Sequence, residues 1–133
     1  MLEKNSVLEM IRKDENLSSI LKEETGVDFV TKAIMENKEQ DGSIDQYFYD
    51  MAESFIKVML YYIQTLESED AQKISNCLKL LKENNKQELK EIIKKSLGFE
   101  NKGSMLCDSV FLNPDQSFDT IMQITIDKFE SVL

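Results

Sequence analysis

The sequence has no histidine. That absence removes the usual proton shuttle near neutral pH and the commonest transition-metal ligand. Its two cysteines, Cys77 and Cys107, stand far apart with no CxxC pair. This spacing excludes a cysteine zinc site and a histidine-assisted thiol nucleophile. With no secretory signal in view, both are expected to be reduced, small apolar residues of a cytoplasmic protein. No apolar run approaches the roughly 20 residues that span a bilayer, so no membrane contact is expected. Glycine (4) and proline (1) are too scarce for a turn-rich β architecture. The G-x-x-x-x-G-K-[ST] and G-x-G-x-x-G phosphate cradles are also missing. Adjacent acids such as Glu23–Glu24 and Glu69–Asp70 lack an apolar pocket that would split their pKa values. No catalytic residue, metal ligand or cofactor is therefore assigned, and enzyme activity is not expected.

What is abundant is Leu, Ile, Lys and Glu, the residues of helices. At 133 residues the chain suits a single domain over 1–133 that buries roughly two thirds of its unfolded surface. The net charge of -9 opposes direct binding to DNA, which needs clustered cations, and favours a protein partner with a basic surface. The charge is also unevenly distributed. From Met35 to Glu53 there are six acids against one lysine, and from Lys79 to Lys95 six lysines against three glutamates. Two faces of opposite sign are expected.

Periodicity predicts an all-α, compact bundle of five to seven helices around a long central apolar helix at about 44–66. A Ser6/Glu9 capping box opens the first helix, with Val7, Leu8 and Ile11 inward and a turn near 14–16. One further helical turn is expected within 17–24, and a helix from Gly26 or Asp28 to about Asn37. A Ser43/Gln46 pair opens the central helix, whose inward series runs from Ile44 through Tyr47, Phe48, Met51, Ala52, Phe55, Ile56, Met59 and Leu60 to Leu66. Further helices are expected over 70–82, from Asn85 (capped with Glu88) to a stop at Gly98, and from an Asn113–Pro114 start to the C-terminus. The stretch 99–112 is the least regular, with 105–112 either a short helix or an apolar clamp.

The segment NKEQDGSIDQYF, Asn37 to Phe48, has the outline of an EF-hand calcium loop. Its last position should be a bidentate glutamate and is instead Phe48, and its first is Asn37 rather than a carboxylate. It reads as an acidic interhelical turn in which Gly42 takes a positive φ. An exposed tyrosine beside such acids would anchor a partner. The candidate partner-binding residues are accordingly Glu36, Glu39, Asp41, Asp45, Tyr49, Asp50 and Glu53.

The blocks DQYFYDMAESFIKVMLYYI and LESEDAQKISNCLKLLKE, with the terminal SFDTIMQITIDKFESVL, resemble the all-α domain of type IV secretion coupling proteins, the TraG-like and TraD-like ATPases of conjugation. Asp45, Tyr47 and Phe48 stand for that family's acidic-aromatic start, 52–63 for its apolar helix and 74–81 for the next. The family's usual proline is replaced by Gln46. The resemblance implies a domain excised from a larger motor ATPase, on the cytosolic side of a membrane-anchored and hexameric parent that carries ATP and Mg itself. It further implies a module that receives the relaxase or a relaxosome accessory protein in conjugative DNA transfer. The alternative is a free-standing acidic helical regulator or DNA mimic of a mobile element.

Overall fold

The computed structural model describes residues 3–133, and among them every regular element is helical. The chain runs α1 (Lys4–Arg12), α2 (Ser18–Leu21), α3 (Gly26–Glu36), α4 (Gln46–Gln64), a 3-10 turn (Glu69–Ala71), α5 (Ile74–Glu83), α6 (Lys86–Leu97), α7 (Gly103–Phe111) and α8 (Asp115–Val132). The expected all-α bundle is therefore present, with eight α-helices among the described residues rather than five to seven, and the stretch left open between helix and clamp is helical through Phe111, in α7.

Helix α4 is central because it is apolar on more than one side. Ala52, Phe55, Ile56, Val58, Met59, Leu60 and Ile63 are all fully buried, and the helix packs against α2, α3, α5, α6, α7 and α8. Its Phe55 ring lies 5.6 Å from Phe111 and 5.8 Å from Phe118, centroid to centroid. Three elements, α4, α7 and α8, thus share one aromatic cluster, with edge and tilted geometries that suit ring quadrupoles. The buried threonine hydroxyls are satisfied within their own helices: Thr31 donates to the Val27 carbonyl and Thr125 to that of Ile121. Among the described residues no helix is long and apolar enough to cross a membrane.

Several helix starts differ from expectation. The Asn85/Glu88 capping box is formed in both directions, but Ser6 lies inside α1, which begins at Lys4 without a side-chain cap. Asp45, rather than Ser43, caps α4 by accepting the Tyr47 N–H at 2.9 Å. At the last helix the start slips by one residue to Asp115. Asn113 does not cap α8, because its side chain is turned back to α7: Nδ2 donates to the Ser109 and Val110 carbonyls, and Oδ1 accepts from the Tyr47 hydroxyl. Tyr47 is consequently half-exposed rather than inward. The predicted 70–82 helix begins only at Ile74, after the 3-10 turn.

Two glycines are required by the path of the chain. Gly98 ends α6 at φ 70°, a left-handed conformation that costs other residues strain. At Gly26 a β-carbon would lie 1.8 Å from the Ile20 carbonyl oxygen, so α2 and the start of α3 approach as closely as they do only without one.

Candidate partner-binding site

The connection between α3 and α4 carries three of the six acids singled out above, Glu39, Asp41 and Asp45. Asp41 folds it locally, its Oδ1 accepting the Ser43 N–H at 2.9 Å and the Ser43 hydroxyl at 2.7 Å. These bonds, the backbone one first, favour the ionised form and hold the Asp41 pKa below its ordinary value. The Ile44 N–H then closes the turn on the Asp41 carbonyl. Gly42 needs no positive φ for this, and among the described residues only Asp14 and Gly98 have one. The expected left-handed glycine is absent because the side chain of Asp41 makes the turn instead.

Tyr49 lies inside rather than on the surface, with a relative exposure of 6%. Its hydroxyl accepts the Asp41 N–H at 2.7 Å. The ring thus supports the acidic connection from beneath, and an exposed anchor at this position is excluded.

The remaining acids separate into two neighbourhoods. Glu36 from α3 and Asp50 and Glu53 from α4 line a groove of about 410 Å³ between the two helices, together with Asp28, Lys32 and Lys57. Glu39 and Asp41 border a smaller pocket of about 210 Å³ that reaches α8 through Asp127 and Lys128. Asp45 borders neither, since its carboxylate is engaged in capping.

In the groove, Lys57 pairs with Asp28 at 3.4 Å, and Gln46 donates to Asp50 at 3.0 Å. Glu36, Asp50 and Glu53 take part in no ion pair among the described residues. The groove lining holds four carboxylates, Asp28, Glu36, Asp50 and Glu53, against two lysines, Lys32 and Lys57, and this acidic excess is a local negative field suited to a basic side-chain cluster.

The opposing basic stretch is weaker than its composition suggests. Lys82, Lys86 and Lys94 are held by Glu130, Asp115 and Asp108 at 2.9, 3.0 and 2.7 Å. Much of the positive charge on α5 and α6 is therefore spent inside the molecule.

Asp28, Lys57 and Lys128 belong to these neighbourhoods although they were not among the sequence candidates. Asp28, Lys32 and Glu36 recur every four residues and share a helix face, a signal readable in the sequence. Lys128 falls on the inward stripe of α8 with Ile121, Thr125 and Val132. A lysine in such a stripe is the readable anomaly. It is 4% exposed, and its Nζ donates to the Met35 and Lys38 carbonyls at 2.9 and 2.7 Å. Burial, and then the nearby Lys38 charge, push its pKa below the ordinary lysine value.

Among the described residues no group of three or more His, Cys, Asp or Glu side chains is arranged to hold a metal ion. Both cysteines are free and buried. No protein-family model matches this chain, and no curated protein and no solved structure matches it.

Proposed function

We propose that this domain is the substrate-receiving module of a type IV secretion coupling protein, and that it docks a basic surface of the relaxase or of a relaxosome accessory protein. The observation that carries the reading is the groove between α3 and α4, in which Glu36, Asp50 and Glu53 make no ion pair among the described residues. A chain of net charge -9 with such a groove is suited to a basic protein partner and poorly suited to a phosphate backbone.

One feature of the fold supports the resemblance: Asp45 caps the central helix where the family's acidic-aromatic start would stand. On this reading the partner arrives at the acidic face and the chemistry belongs to the parent motor, since the domain contributes recognition alone.

Calorimetric titration with a relaxase and with relaxosome accessory proteins, at low and at physiological salt, tests the proposal. Binding that weakens as salt shortens the Debye length from about 30 Å at 0.01 M to about 8 Å at 0.15 M is the expected result. Absence of binding to the relaxase and to the accessory proteins at either salt would refute the assignment.

A further inference from the structure

Helices α3 and α8 end beside each other. The Asn37 side chain, at the C-terminus of α3, donates to the Ser131 carbonyl in the last turn of α8 at 3.1 Å. Helix C-termini carry partial negative charge on carbonyls that lack intrahelical partners, so two such ends in contact repel unless a cation lies between them. The cation present is Lys128. Its Nζ reaches Met35 and Lys38, one on each side of the α3 terminus, and stands 5.9 Å from the centroid of the Tyr49 ring. Lys128 makes no ion pair among the described residues, although Asp41, Glu39 and Asp127 border the same small pocket. The ammonium is therefore held by carbonyls and a π face rather than by a carboxylate.

We propose that the Met35 and Lys38 carbonyls and the Tyr49 ring form a cation cradle, filled in this chain by its own Lys128, and that filling it orders the acidic connection between α3 and α4. The links are continuous. Lys128 fixes the Lys38 carbonyl and lies by the Tyr49 ring, the Tyr49 hydroxyl holds the Asp41 N–H, and Asp41 holds Ser43. A segment with the outline of a calcium loop thus receives its positive charge from within, from Lys128, 90 residues beyond the Lys38 carbonyl that it holds. A primary ammonium suits the cradle because it combines a charge with N–H donors for both carbonyls. This inference stands independently of the proposed partner.

Hydrogen exchange on the full chain tests it. In Lys128→Ala, the Asp41 and Ser43 amides are expected to exchange at least tenfold faster than in the parent chain while α6 amides stay unchanged. Added propylammonium should restore their protection, and 1-propanol or sodium chloride at equal concentration should not. Lys128→Met, which keeps the apolar stem, should show the same loss of protection, and it serves as the readout if the alanine variant does not fold. In the unaltered chain the Lys128 ammonium protons should give a slowly exchanging signal in nitrogen-15 spectra at neutral pH. Unchanged Asp41 and Ser43 exchange in Lys128→Met, rescue by propanol as good as by propylammonium, or Lys128 protons as labile as those of surface lysines would each overturn the cradle.

Discussion

Phe55 sits where α4, α7 and α8 meet, in contact with two other rings and with no exposure to solvent. Truncation there leaves a cavity that neighbours on three different helices would all have to move to fill. Phe55→Ala is expected to destabilise the fold by about 3–5 kcal/mol, read as a lower denaturant midpoint at unchanged slope. A loss under about 1 kcal/mol would mean the cluster is not the tightly packed centre described here. Cys107 is also fully buried, and burial pushes its thiol from an ordinary value of 9.0 up to about 11. Above pH 9 the unfolded chain therefore releases a proton that the folded chain keeps. The contribution of Cys107 to stability accordingly falls as pH rises from about 9 to about 11. Thiol-labelling at pH 8 should be slow in the native chain and fast in denaturant, whereas rapid native labelling of Cys107 would contradict its burial.

At the scale of elements, long amphipathic helices were legible and their ends were not. The inward series of α4, the Asn85/Glu88 box and the Gly98 stop follow from spacing and cap chemistry, both of which act within a turn or two of helix. Asn113 was misread because its side chain had two possible employers. The motif favoured α8, but tertiary contact with Tyr47 and the open carbonyls of α7 took it instead. Helix α7 was ambiguous for another reason: Met105 and Leu112 are apolar yet exposed, so the apolar residues do not mark one face. The 37–48 connection shows how an outline of ligands differs from a site. Phe48 occupies the place of the closing glutamate, and Asp45 is committed to capping α4. Millimolar calcium is expected to leave the melting temperature within about 1 °C, because a ligand raises stability only by binding the folded state in preference to the unfolded one. A rise of several degrees with calcium but not with magnesium would show that the connection binds metal after all.

For the whole molecule, composition announced an acidic protein with a basic stretch, but only the fold sorts which charges remain available. Lys82, Lys86 and Lys94 are paired across helices, and Asp28 is paired with Lys57, while Glu36, Asp50 and Glu53 face a common groove. The sequence held the periodicities that put Glu36 on one face of α3 and Asp50 with Glu53 on one face of α4. It did not hold the packing of α3 on α4, so Glu39, Asp41 and Asp45 entered the same candidate group although they lie outside the groove. Tyr49 entered it because an aromatic beside acids is equally consistent with an anchor and with a buried support. The most direct measurement compares two charge-reversed chains in titrations with the proposed partner, a relaxase: Glu36→Lys with Asp50→Lys and Glu53→Lys, against Glu23→Lys with Glu24→Lys and Glu100→Lys, which are exposed acids outside this groove. The account predicts that the first set weakens binding by roughly tenfold or more, equivalent to about 1.4 kcal/mol, and removes most of the salt dependence, while the second changes little. Equal affinities for the two sets, or tighter binding by the first, would contradict the acidic groove as the docking site.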